Sequence, residues 1–92
     1  MSDILLESYP RPAAHTRGRI LDREAVIVQP NQGEVKVLNE VGAYIWTLAD
    51  GSRSVREIAL AVADRYDVSP AQAETDTLEF LHELREKALI EF

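Results

Sequence analysis

The spacing of hydrophobic residues changes once along the chain. Before Asn39 they come in short β-branched runs at residues 19–22, 25–29 and 34–38, separated by Asp22-Arg23-Glu24 and Pro30-Asn31-Gln32-Gly33, where turn-forming residues cluster. The three runs predict a three-stranded antiparallel meander. Ala25-Val26-Ile27-Val28 is apolar on both parities, as a central strand is, whereas Glu34-Val35-Lys36-Val37-Leu38 alternates like a half-buried edge. The last strand of the meander is therefore expected at the open edge of the sheet.

Beyond Asn39 the period becomes helical. Val41, Tyr44, Ile45 and Leu48 stand at i, i+3, i+4 and i+7, and Asp50-Gly51 ends the pattern. Ser54-x-x-Glu57 is a capping box ahead of Val55, Ile58, Ala59, Val62 and Tyr66. Ser69-Pro70 starts a third helix, with proline at the first helical position where its missing N–H costs nothing, and the helix runs to about Lys87. Leu89-Ile90-Glu91-Phe92 is short enough for a terminal strand. Strands followed by helices make an α+β fold, and this order is the layout of a winged helix-turn-helix. Residues 1–16, with Pro10 and Pro12 and no sustained period, are expected as a mobile or extended arm to a domain spanning residues 17–92.

A chain of 92 residues suffices for one core, and 46% apolar with 28% charged residues is a globular composition. There are no cysteines and only two histidines, His15 and His82, which leaves little for a transition metal to bind. No apolar run spans a bilayer, and the acidic start Met1-Ser2-Asp3 lacks the basic opening of a signal peptide, so a cytoplasmic location is expected, with no membrane partner. The net charge of −6 is unevenly spread: residues 1–36 carry five basic and five acidic side chains, residues 37–92 five basic and eleven acidic. Such a surface repels a polyphosphate backbone, which argues against nucleic acid as a partner and against the alternative of a winged-helix DNA-binding regulator.

Candidate chemistry is sparse. His15 lies in the arm among solvated residues, and His82 sits among Glu79, Glu83 and Glu86 without a nucleophile to serve. The acids Glu74, Asp76, Glu79, Glu83 and Glu86 spread around the third helix at 100° steps rather than converging on a cation. No glycine-rich phosphate loop exists. No catalytic residue, cofactor site or metal site is expected.

An interaction surface remains. On the third helix Ala73, Thr77, Phe80, Leu81, Leu84 and Ala88 share an arc of about 100° that should face the core. Leu78 points about 110° from the middle of that arc, in company with Glu74, His82 and Arg85. It is either covered by the sheet or the arm, or part of a binding stripe. Trp46 lies equally far off its helix's stripe, packed against another layer or offered to a partner. The open edge strand supplies unpaired N–H and C=O groups that an extended peptide can satisfy.

The stretch Val37-Leu38-Asn39-Glu40-Val41-Gly42-Ala43-Tyr44-Ile45-Trp46-Thr47-Leu48-Ala49-Asp50-Gly51, then Ser54-Val55-Arg56-Glu57-Ile58-Ala59, then Phe80-Leu81-His82-Glu83-Leu84-Arg85-Glu86-Lys87-Ala88-Leu89-Ile90, resembles the PqqD family over residues 17–92. The resemblance implies a non-catalytic peptide chaperone, also called a RiPP recognition element. It would bind the leader of a ribosomally made precursor peptide and present it to a modifying enzyme, which is a radical SAM enzyme in pyrroloquinoline quinone biosynthesis and another enzyme in other peptide-modification pathways. It also implies strand addition at the edge Glu34, Val35, Lys36, Val37 and Leu38, with peptide side chains against the third helix; the helical wall is placed at Glu74, Leu78, His82 and Arg85. A monomer or weak homodimer is expected. Asn39 and Asp50-Gly51 in the motif read as cap and turn.

Overall fold

The computed structural model describes residues 4–29 and 34–92; the turn expected at residues 30–33 lies outside them. In chain order the elements are β1 (Arg11–Pro12), β2 (Arg17–Leu21), β3 (Glu24–Gln29), β4 (Glu34–Leu38), α1 (Glu40–Leu48), α2 (Val55–Tyr66), α3 (Pro70–Glu86) and β5 (Ile90–Glu91). β2, β3 and β4 form the expected antiparallel meander with β3 in the middle, and β1 pairs with β5 as a separate two-stranded ribbon. The fold is α+β, three antiparallel strands followed by three helices.

Alternation along β3 decides which face of the sheet meets the helices. Ala25 and Ile27 are fully buried and Gln29 nearly so, whereas Val26 and Val28 are half-buried on the outer face. Residues directly opposite share a face, and Leu38 pairs with Ala25 while Lys36 pairs with Ile27. Leu38 and Lys36 therefore turn inward, and Val35 and Val37 outward. On the other flank of β3, Gly18 lies opposite Ile27 and also faces inward. Trp46 covers it: a Cβ on Gly18 would fall 2.2 Å from the indole Nε1. That contact settles the position of Trp46, which is packed against β2 and only 8% exposed.

Helix starts follow the capping residues. Asn39 accepts from the Gly42 N–H at 2.9 Å, Ser54 and Glu57 close a full capping box, and the Ser69 hydroxyl accepts from the Gln72 N–H. On α3, Ala73, Thr77, Leu81 and Leu84 are buried as expected, and Phe80 is half-buried. Ala88, expected on the same face, is exposed. The helix has ended by Lys87, and Ala88 takes a left-handed backbone (φ 58°) that turns the chain so that Leu89 and Ile90 enter the core instead.

The described part of the N-terminal segment is extended and tied to α2. The carbonyls of Ser8 and Leu6 accept from the Val55 and Arg56 N–H groups, and Pro10 accepts from Gly51, each at 2.9 Å. Glu7 pairs with Arg56, Ile4 is 8% exposed, and Pro10 is buried. β1 then lies against β5, with Arg11 opposite Glu91 and ion-paired to it.

Gly18→Ala tests the sheet-to-helix seam. The added methyl must displace a buried indole, so the variant should lose about 1–3 kcal/mol of stability. Chemical denaturation followed through Trp46 fluorescence reads this directly.

Candidate functional site

β4 has a neighbour on one side only among the described residues, so its other side presents unpaired backbone groups. Edge strands are normally protected by an outward lysine, a proline or a bulge; β4 has none of these facing out. Val35 and Val37 are 62% and 63% exposed. The one cation of the strand, Lys36, turns inward and forms an ion pair with Glu83 of α3, linking the strand to the helix flank beside it. Leu38 is 2% exposed and belongs to the core, so it offers a ligand only its backbone. Glu34 contributes the backbone at the other end of the strand.

The Lys36–Glu83 pair fixes which flank of α3 adjoins β4. At 100° per residue, Glu74, Leu78, His82 and Arg85 lie about 100° to 180° around the helix from Glu83. Among the described residues no hydrogen bond or ion pair joins the side chains of these four to the edge strand. Arg85 lines a cavity of about 460 Å³ with Ile4, Leu5, Ser8, Ile90 and Phe92, so it faces the N-terminal segment. Glu74 sits at the other end of the same stripe: the hydrogen-bonded Glu7 carboxylate raises the Arg56 pKa, and Glu74 adds to the effect. Between these ends Leu78 is half-buried against the core, and His82 lies 3.5 Å from Arg85 through Nδ1.

The α3 residue that does meet β4, Glu83, was not singled out from sequence. A signal existed in the shared parity of Lys36 and Leu38, which sends the lysine inward. What the sequence lacked was the flank of the helix it would find, because that depends on how α1 and α2 carry the chain across the sheet. Gly42 marks that crossing: a Cβ there would lie 3.1 Å from the Phe80 ring, so α1 and α3 approach closely beside the Glu83 flank.

A second concavity, of about 360 Å³, lies between the β2–β3 hairpin and the helices. There Tyr44 and Tyr66 meet edge to face at 5.8 Å with the Arg65 guanidinium 4.8 Å over the Tyr44 ring. Neither concavity reaches β4. Among the described residues no group of three or more histidine or carboxylate side chains is placed to hold a metal, and no helix is long and apolar enough to cross a membrane.

An open-edged three-stranded sheet backed by three helices is the architecture of the RiPP recognition element. The chain belongs to the PqqD family, whose model, Coenzyme PQQ synthesis protein D (PqqD), matches residues 24–90. Among solved structures it is similar to TbiB1 in complex with the TbiA(beta) leader peptide, with 28% identity over 88% of this chain and 94% of that one and a TM-score of 0.82. It is also similar to the PqqD truncation of Methylobacterium extorquens PqqCD, a functional stand-alone RiPP recognition element solved by NMR. There the identity is 28%, the coverage 90% and 88%, and the TM-score 0.74. Lasso peptide synthetase B1 complexed with the leader peptide shares the fold at 21% identity, covering 92% of this chain and 100% of that one, with a TM-score of 0.83. No curated protein sequence matches the chain.

Two substitutions separate the two flanks of α3. Leu78→Asp puts a carboxylate against the core and should cost about 1–3 kcal/mol of stability. Lys36→Ala removes a partly exposed ion pair and should cost less than about 1 kcal/mol. Urea denaturation of both variants checks the contrast.

Proposed function

We propose that the protein is a non-catalytic recognition element that binds the leader of a ribosomally synthesised precursor peptide by adding it as a fourth strand beside β4. The observation that carries this reading is the unprotected edge: two exposed valines face out, and the single lysine is turned inward. The similarity to structures holding leader peptides, TbiB1 foremost, supports it. The facing wall in this reading is the Glu83 flank of α3, in place of the stripe through Leu78.

The protein's contribution is pre-organisation. Capturing an otherwise disordered leader raises the local concentration of the attached core peptide at the modifying enzyme. That enzyme is a radical SAM protein if the pathway makes pyrroloquinoline quinone, and another peptide-modifying enzyme otherwise. About five ladder hydrogen bonds at ~1 kcal/mol and two or three covered side chains at ~2 kcal/mol give a gross of about 10 kcal/mol. Ordering and association costs reduce this to binding in the micromolar range.

The test is an NMR titration of the isotope-labelled chain with the short peptide encoded nearest its gene, with duplex DNA as control. Saturable amide shifts centred on Glu34–Leu38 are expected with the peptide. Shifts on DNA alone would instead support a winged-helix regulator. A proline scan over Val35, Lys36 and Val37 refines the result, because only every second N–H along an edge strand faces outward. Proline at an outward-facing position should leave the fold intact and weaken peptide binding by tenfold or more.

A further inference from the structure

A strand laid beside β4 has two kinds of position, because side chains alternate between the faces of a sheet. Residues on the outer face find Val35 and Val37, which continue the valine surface of Val26 and Val28 on β3. Apolar β-branched or aromatic neighbours suit such cross-strand positions. Residues on the inner face find Lys36 and the Glu83 flank of α3.

That flank is acidic. Asp76, Glu79 and Glu86 lie within about 60° of Glu83 around the helix and are exposed. Asp76 accepts a hydrogen bond from Gln72, and Glu83 takes Lys36, while among the described residues Glu79 and Glu86 have no ion-pair partner. The flank's other cation is Lys87, at the C-cap. Four carboxylates thus face two ammonium groups, one already engaged. An incoming carboxylate would find only Lys87 unengaged, at the end of the helix, or would have to draw Lys36 away from Glu83, and in either case would sit among the remaining acids. An incoming ammonium or guanidinium meets unpaired charge of the opposite sign.

We propose, resting on strand addition at β4, that the peptide segment captured there alternates apolar and basic residues, with valine-like or aromatic side chains beside Val35 and Val37 and lysine or arginine turned toward Glu79 and Glu83. The ligand class is an extended cationic-amphipathic peptide. The outer valines select for shape, and the acidic flank selects for charge.

The experiment titrates the labelled 92-residue chain with three synthetic seven-residue peptides capped at both ends. One alternates valine and lysine, one alternates valine and glutamate, and one has the composition of the first with its valines and lysines in separate blocks. The alternating lysine peptide is expected to shift the β4 amides and bind at least tenfold more tightly than either of the others. Glu79→Lys, at an exposed position, should shrink its advantage over the glutamate peptide to less than threefold. Equal affinity for the two alternating peptides, or preference for glutamate, with β4 shifts in both cases, would overturn the charge assignment and leave strand addition standing. Lysine-block binding as tight as the alternating peptide would overturn the alternation. Absence of β4 shifts with every peptide would instead count against strand addition itself.

Discussion

Ala25, Ile27 and Gln29 project from β3 into the helices while Val26 and Val28 project away, and a slip of one residue would exchange the two sets. The burial of Ala25 and Ile27 holds that register, and the pairing of β3 with β4 passes it outward. Leu38 must then enter the core, Lys36 must reach toward α3, and Val35 and Val37 must face solvent. On the opposite side the same pleat brings Gly18 beneath Trp46, where only a glycine leaves room for the indole. The character of the open edge is thus decided in the middle of the sheet.

Most of the scaffold was legible in the sequence because its signals are local. The capping box at Ser54 and Glu57, the proline after Ser69 and the switch of period at Asn39 all act within a turn or two of the residues that carry them. The edge strand was legible for the same reason, through the alternation of Val35, Lys36 and Val37. The neighbours of the stripe through Leu78 were not. A helical wheel shows that Leu78 lies off the core-facing arc but leaves open which neighbour covers it. The N-terminal segment takes that flank, with Ile4, Leu5 and Ser8 around Arg85 and Glu7 on Arg56 near Glu74. A proline-rich stretch without periodicity gives no sign of such a position.

The attachment of that segment also completes a local account of hydrogen bonds. The first amides of any helix lack partners within it. In α2 the capping box satisfies Glu57, while Val55 and Arg56 donate to the carbonyls of Ser8 and Leu6. The segment therefore does at the start of α2 what water or a side chain would otherwise do, and the two parts stabilise each other.

The ribbon of β1 and β5 bears on how the molecule folds. Arg11 and Glu91 are 80 positions apart, so their pairing closes nearly the whole chain into a loop. The entropy lost in closing a loop grows with its length and must be met before the contact returns anything, which makes long-range closures slow. The meander and the helix pairs need much shorter closures. The ribbon is thus the topological clasp of the fold, the contact of longest sequence separation among its strand pairings.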